Sequence, residues 1–81
     1  MRYFFHIVNG EGRTPDDEGS ELASLDKARA HAVDGIRSIL ADEIRGGHMD
    51  LGGRIEVTDG NGAELTVVRF QDAVSIVGAA N

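Results

Sequence analysis

The 81-residue chain contains no cysteine and no tryptophan. Without thiols there can be no disulfide, no thiolate nucleophile and no cysteine-based zinc site. The chain must hold itself by packing alone, with self-association as the one further source of burial. Proline occurs once, at Pro15, so little punctuates the chain except its 11 glycines. Long apolar runs are also missing. No segment approaches the roughly 20 apolar residues of a membrane span. The stretch "YFFHIV" near the start is too short for a secretory leader and precedes no small-residue cleavage site. The expectation is a cytoplasmic protein. Basic charge is scarce as well: 8 Lys and Arg stand against 14 Asp and Glu, a formal net charge of −6. The bases are scattered singly, and Lys27 is the only lysine. A phosphate backbone needs clustered positive charge, so nucleic acid is excluded as a partner. An acidic surface favours solubility and, weakly, basic protein partners.

What is present suffices for one small domain over residues 1–81. Residues 2–9 alternate as a strand, with Tyr3, Phe5 and Ile7 on one face and Phe4, His6 and Val8 on the other. Asn9-Gly10 ends it, and the polar "GEGRTPDDEG" reads as a loop. "SELAS" reads as a short second strand. Ser24 is placed to cap a helix, and Asp26 suits its positive end. From Leu25 the apolar positions Ala28, Ala32, Ile36, Ile39, Leu40 and Ile44 recur at steps of three and four, with Val33 beside them. Gly46-Gly47 ends this helix, which is about 21 residues and roughly 32 Å long. Asp26/Arg29, Asp34/Arg37 and Asp42/Arg45 are spaced for ion pairs along it. "RIEVTDGNGAELTVVRF" then reads as a hairpin. Residues 71–77 fit either a short helix capped by Asp72 or an edge strand, and 78–81 are expected to fray.

The hairpin register decides which residues share a face. A three-residue loop, Gly60-Asn61-Gly62, pairs Val57 with Leu65 and Ile55 with Val67, and gives Gly62 the left-handed position of a bulge. A four-residue loop would waste Val57 on Glu64. The shorter loop therefore predicts that Ile55, Val57, Leu65 and Val67 join Tyr3, Phe5 and Ile7 under the helix. It sends Val68 and Phe70 to the opposite face. The predicted fold is α+β in two layers: an antiparallel sheet of three to four strands in ββαββ order on one long helix. A single helix covers one face only. Phe4, His6, Val8, Val68 and Phe70 on the other face form more apolar surface than a small monomer leaves open, and are the candidate interface. Either the "AVSIV" segment or another chain covers it.

Catalytic and cofactor signals are weak. The three histidines, His6, His31 and His48, show no metal-binding spacing. "PDDEG" gathers three carboxylates, which reads as a solvated loop before it reads as a cation site. "DGNGAE" lacks the glycine of a calcium loop at its sixth position, where Glu64 stands. No phosphate-cradling glycine motif occurs. The expectation is no enzyme, no metal, no cofactor and no small-molecule ligand.

Taken together, "RYFFHI", the acidic "DDEG" before "SEL", the Ala-rich helix and "RIEVTDGNG" resemble a group of small bacterial proteins catalogued as a domain of unknown function. The resemblance covers residues 2–74 and implies the element order given above, with no activity attached. A looser similarity of layout links the "MRY" strand and "SLDKARAHA" helix to the N-terminal module of HicB-type antitoxins, without their aromatic "GC" segment. That similarity implies a small basic protein as partner. The leading expectation is a non-enzymatic interaction module that homodimerises through its partly apolar sheet face. The alternative is an antitoxin-like or regulatory module.

Overall fold

The structure is a computed structural model and describes residues 1–78. Of the segment expected to fray, all but Gly78 lies outside the described residues. Five strands surround one helix in sequence: β1 (Arg2–Asn9), β2 (Gly12–Thr14), β3 (Ser20–Glu21), α1 (Leu25–Arg45), β4 (Arg54–Thr58) and β5 (Glu64–Arg69), followed by a 3-10 turn at Phe70–Asp72. The sheet is antiparallel in the order β2-β1-β4-β5, with β3 pairing the other end of β1. The α+β, two-layer expectation stands, with one strand more than expected. The extra strand is β2, inside the segment assigned to a loop. Asn9 pairs with Gly12 across a two-residue turn, and three residues are too few to show an alternation.

Helix α1 matches its sequence signals closely. Ser24 accepts from the Lys27 amide at 3.2 Å, and Asp26 lies in the first turn. At the other end the His48 amide reaches the Glu43 carbonyl and the Gly47 amide the Ile44 carbonyl, with Gly47 at φ +81°. This closure needs a left-handed residue, which glycine adopts freely. Ala28, Ala32, Ile36 and Leu40 are buried, whereas Leu25 and Ile44 at the two ends are exposed. Among the described residues none of the three spaced acid–base couples closes to an ion pair. Two of the arginines work between layers instead. Arg29 donates to the Thr66 hydroxyl and Arg37 to the Ala73 carbonyl at 2.8 Å.

The hairpin register differs from the expected one. Thr58 pairs with Glu64, Val57 with Thr66 and Ile55 with Val68, with a bulge between the first two pairs. The turn is five residues, Asp59–Ala63, held by the Asp59 carboxylate. It accepts from the Asn61 amide at 2.8 Å and the Ala63 amide at 3.0 Å. Gly62 takes the left-handed conformation as expected (φ +84°). The bulge absorbs Leu65, which is 37% exposed, and shifts every later residue by one face. Val68 and Phe70 therefore lie in the core, 3% and 0% exposed, and not on the outer face. The physical gain is the larger side chain: burying a phenylalanine contributes about 1.5–3 kcal/mol. Gly53 makes room for that ring, since a Cβ there would come within 2.9 Å of Phe70 Cε2. Thr66 under the helix costs little, because Arg29 pairs with its hydroxyl.

Of residues 71–77, Gln71 and Asp72 complete the 3-10 turn, and 73–77 form neither a helix capped by Asp72 nor an edge strand. Ala73 is buried and Val74 packs on the core, while Ile76 and Val77 stay exposed beside Ile44 of α1 and Met49 of the segment after it. Residues 74–77 run beside the helix end, and among the described residues the C-terminal segment does not cover the outer face of the sheet.

Candidate functional site: the outer sheet face

The face turned away from α1 is set by strand alternation. Tyr3, Phe5 and Ile7 of β1 pack toward the core, which leaves Phe4, His6 and Val8 on the outside. Their cross-strand partners on β4 are Thr58, Glu56 and Arg54. Beyond these, Glu56 faces Val67 and Arg54 faces Arg69 on β5. Phe4, His6, Val8 and Val67 are all half-buried. Of the five residues expected to form an interface, the structure brings Phe4, His6 and Val8 together and removes Val68 and Phe70. Val67 takes their place.

Two polar clusters divide this face. At one end Glu56 accepts from Arg54 (3.1 Å) and lies 3.4 Å from Arg13 of β2. Desolvation works to raise the Glu56 carboxyl, but its bonds to Arg54 and Arg13 outweigh that and hold it below the usual glutamate range.

The second cluster is built around His6 and Asp16. Strand β1 has neighbours at both ends of its outer edge, β3 against Arg2–Tyr3 and β2 against Ile7–Asn9, and a gap between them. The Phe5 amide points into that gap. The Asp16 carboxylate fills it, accepting from Phe5 (3.0 Å) through Oδ2 and from Gly19 (3.0 Å) and Glu18 (3.2 Å) through Oδ1. Partial burial works to raise this carboxyl. The amides of Gly19, Phe5 and Glu18 outweigh it and hold Asp16 below the usual aspartate range. The solvated reading of "PDDEG" is thus wrong for Asp16, although Asp17 and Glu18 are exposed. The available signal was an Asp three residues before a Gly, the spacing of a side chain that bonds its own turn. Gly19 is required there: it has φ +71°, and a Cβ would lie 2.8 Å from the Tyr3 carbonyl.

His6 ties this loop to the hairpin. Its Nδ1 accepts from the Asp16 amide at 3.1 Å, and its Nε2 is 2.9 Å from the Thr58 hydroxyl, which is buried. A histidine beside a hydroxyl can form a base–nucleophile pair. Here the tautomer forbids it. An amide donor at Nδ1 requires the lone pair there, so the neutral ring carries its proton on Nε2 and donates to Thr58. It cannot also remove the Thr58 proton. The cavity beside it, lined by Phe4, His6, Asp16, Asp17, Thr58 and Asp59, holds about 230 Å³, below the range of ordinary ligand pockets.

The other two histidines lie elsewhere. His31 on α1 is exposed and rests against Phe5, with ring centroids 4.7 Å apart, and the His48 backbone closes the helix. Among the described residues no group of three or more His, Asp or Glu side chains is arranged to hold a metal ion. No described helix is long and apolar enough to cross a membrane.

Residues 2–71 match a family described as Domain of unknown function (DUF6894). The chain belongs to that family. The match ends just past β5, so the family unit comprises the whole sheet and the helix, with the His6–Asp16–Thr58 cluster inside it. No curated protein and no solved structure matches the chain, and the likeness of layout to HicB modules gains no support from a relative.

Proposed function

We propose that this family member is a non-enzymatic protein-interaction module of the cytoplasm that forms a homodimer through its outer sheet face. The single observation that carries the reading is that Phe4, His6, Val8 and Val67 share the sheet face turned away from α1 and stay partly exposed there, with only the Gly19 loop and the hairpin turn at its Phe4 end. An apolar strip of this kind, rimmed by charges, is a surface built to be covered. The clamp of His6 between the Asp16 amide and Thr58 supports a binding role over a catalytic one. It spends both ring nitrogens on holding two loops in place, which pre-organises the surface around Phe4.

The local charge supports a second copy over a basic protein. Although the chain is acidic overall, Arg13 and Arg54 gather on the outer face against Glu56, with Arg69 beside Arg54 and paired to Asp72. A basic partner of the antitoxin kind would meet like charge there. The experiment is size-exclusion chromatography with light scattering at low micromolar concentration and neutral pH. The wild-type chain runs as a dimer, and Phe4→Asp runs as a folded monomer. A wild-type monomer, or a Phe4→Asp dimer, overturns the reading.

A further inference from the structure

The two edges of the sheet are treated differently. The β1 side is blunted by short strands of three and two residues, with the Asp16 carboxylate bonded to the amide left between them. The β5 side has no such protection. Its six residues, Glu64–Arg69, pair only with β4, and among the described residues nothing pairs with the other side. It contains no proline, its one bulge lies at the hairpin end, and Thr66–Arg69 runs on regularly. Natural proteins rarely leave such an edge open, because it is a template for pairing.

The direction of its main-chain groups follows from one bond. The Phe70 amide donates to the Gly53 carbonyl at 2.9 Å, so Phe70 and, by alternation, Val68 and Thr66 turn theirs toward β4. Val67 and Arg69 therefore present N–H and C=O to the open side. We infer that this edge is a second self-association site, where β5 pairs antiparallel with β5 of another copy in a register centred on Val67. Val67 faces the partner's Val67, the two exchanging both main-chain bonds, and Arg69 faces the partner's Leu65. The register is self-complementary in charge. Glu64 sits opposite Thr58 and Arg69 opposite Arg54, both on the outer face. Centring on Val67 brings each Glu64 within one residue of the other copy's Arg69, which also pairs with Asp72 of its own chain at 3.0 Å. The two-fold axis of this contact is perpendicular to the sheet. It leaves Phe4 and Val8 free, and goes beyond the outer-face dimer by joining dimers edge to edge at higher concentration.

Amide hydrogen exchange of Val67 and Arg69 tests the inference directly, because within one chain these amides have no acceptor among the described residues. At high protein concentration both exchange about 100-fold or more slower than free amides, and dilution restores the fast rate. Light scattering shows the mass rising above the dimer over the same range. Val67→Pro removes an outward N–H without touching a bond to β4, so the variant folds; because Val67 also lies on the outer face it is made in the Phe4→Asp background, where it abolishes the concentration-dependent protection of Arg69. Phe4→Asp abolishes the outer-face dimer and leaves the concentration-dependent protection of Arg69, which separates failure of one contact from failure of the other. Fast exchange at every concentration overturns the inference. Protection that survives dilution overturns it equally, since the edge is then covered within a single chain.

Discussion

Replacing Asp16 with alanine strips the acceptor from three amides at once, those of Phe5, Glu18 and Gly19. The Glu18 amide is exposed and rehydrates at little cost. The bonds from Phe5 and Gly19 are part-buried, and each is a bond to a charged acceptor, a class that contributes about 1.5–3 kcal/mol. Some of this returns when the loop swings out and admits water, so the expected loss is about 2–4 kcal/mol. A domain of this size has only about 4–12 kcal/mol in all, and the corresponding fall in Tm is about 10–25 °C. Asp16→Asn keeps one oxygen and loses about half as much. Urea denaturation followed by circular dichroism gives the global figure, and exchange of the Phe5 amide reports the gap in the edge. The pH dependence has a definite sign. Asp16 is held below its ordinary range when folded, so its contribution is complete above its unfolded value of about 3.9 and is lost as pH falls through the lower folded value. The alanine variant therefore has a flatter stability curve than wild type below about pH 4. A loss under about 0.5 kcal/mol, with the Phe5 amide still protected, would refute the argument that one side chain closes this edge.

Two further substitutions separate the two faces of the sheet. Phe70→Ala opens a cavity in the core between Gly53 and the helix and costs about 3–5 kcal/mol, enough to leave much of the chain unfolded at 37 °C by thermal melt. Phe4→Ala on the outer face costs about 1 kcal/mol or less in the monomer, and equal losses at the two sites would contradict the register described. Gly19→Ala places a methyl against the Tyr3 carbonyl in a left-handed conformation, and loses about 1–3 kcal/mol in the same melt. A neutral result there would mean that the Asp16 loop is free to move.

The helix was readable from sequence because its signals are local and redundant. Ser24, the stripe from Ala28 to Leu40, and Gly46-Gly47 each specify the same element over the same residues. The hairpin was not, because its register depends on a competition between distant parts. Alternation alone treats Leu65/Val67 and Val68/Phe70 as equally good core pairs. The choice falls to the Asp59 carboxylate, which holds a five-residue turn, and to Gly53, which leaves space for one large ring and no Cβ. Neither residue is apolar, so neither enters a hydrophobic pattern. Strand β2 escaped for a related reason: its Gly12, Arg13 and Thr14 have strand conformation only because Asn9 turns the chain back onto β1.

The histidine in the first strand shows the same division at the level of the site. Its face was legible from alternation, and so was its company with Phe4 and Val8. Its partners were not, since one lies 10 residues away in a loop and the other 52 residues away at the end of β4. Those partners decide its chemistry. Had a carboxylate or carbonyl faced Nδ1, the proton would sit there and Nε2 would be free to act as a base toward Thr58. With an amide at Nδ1 the ring becomes a strut between two loops, and Asp16, which supplies that amide, also closes the edge of β1 with its carboxylate. One residue therefore sets both the tautomer of His6 and the protection of the sheet's first edge. On the opposite edge β5 pairs only with β4, and among the described residues it has no equivalent of Asp16.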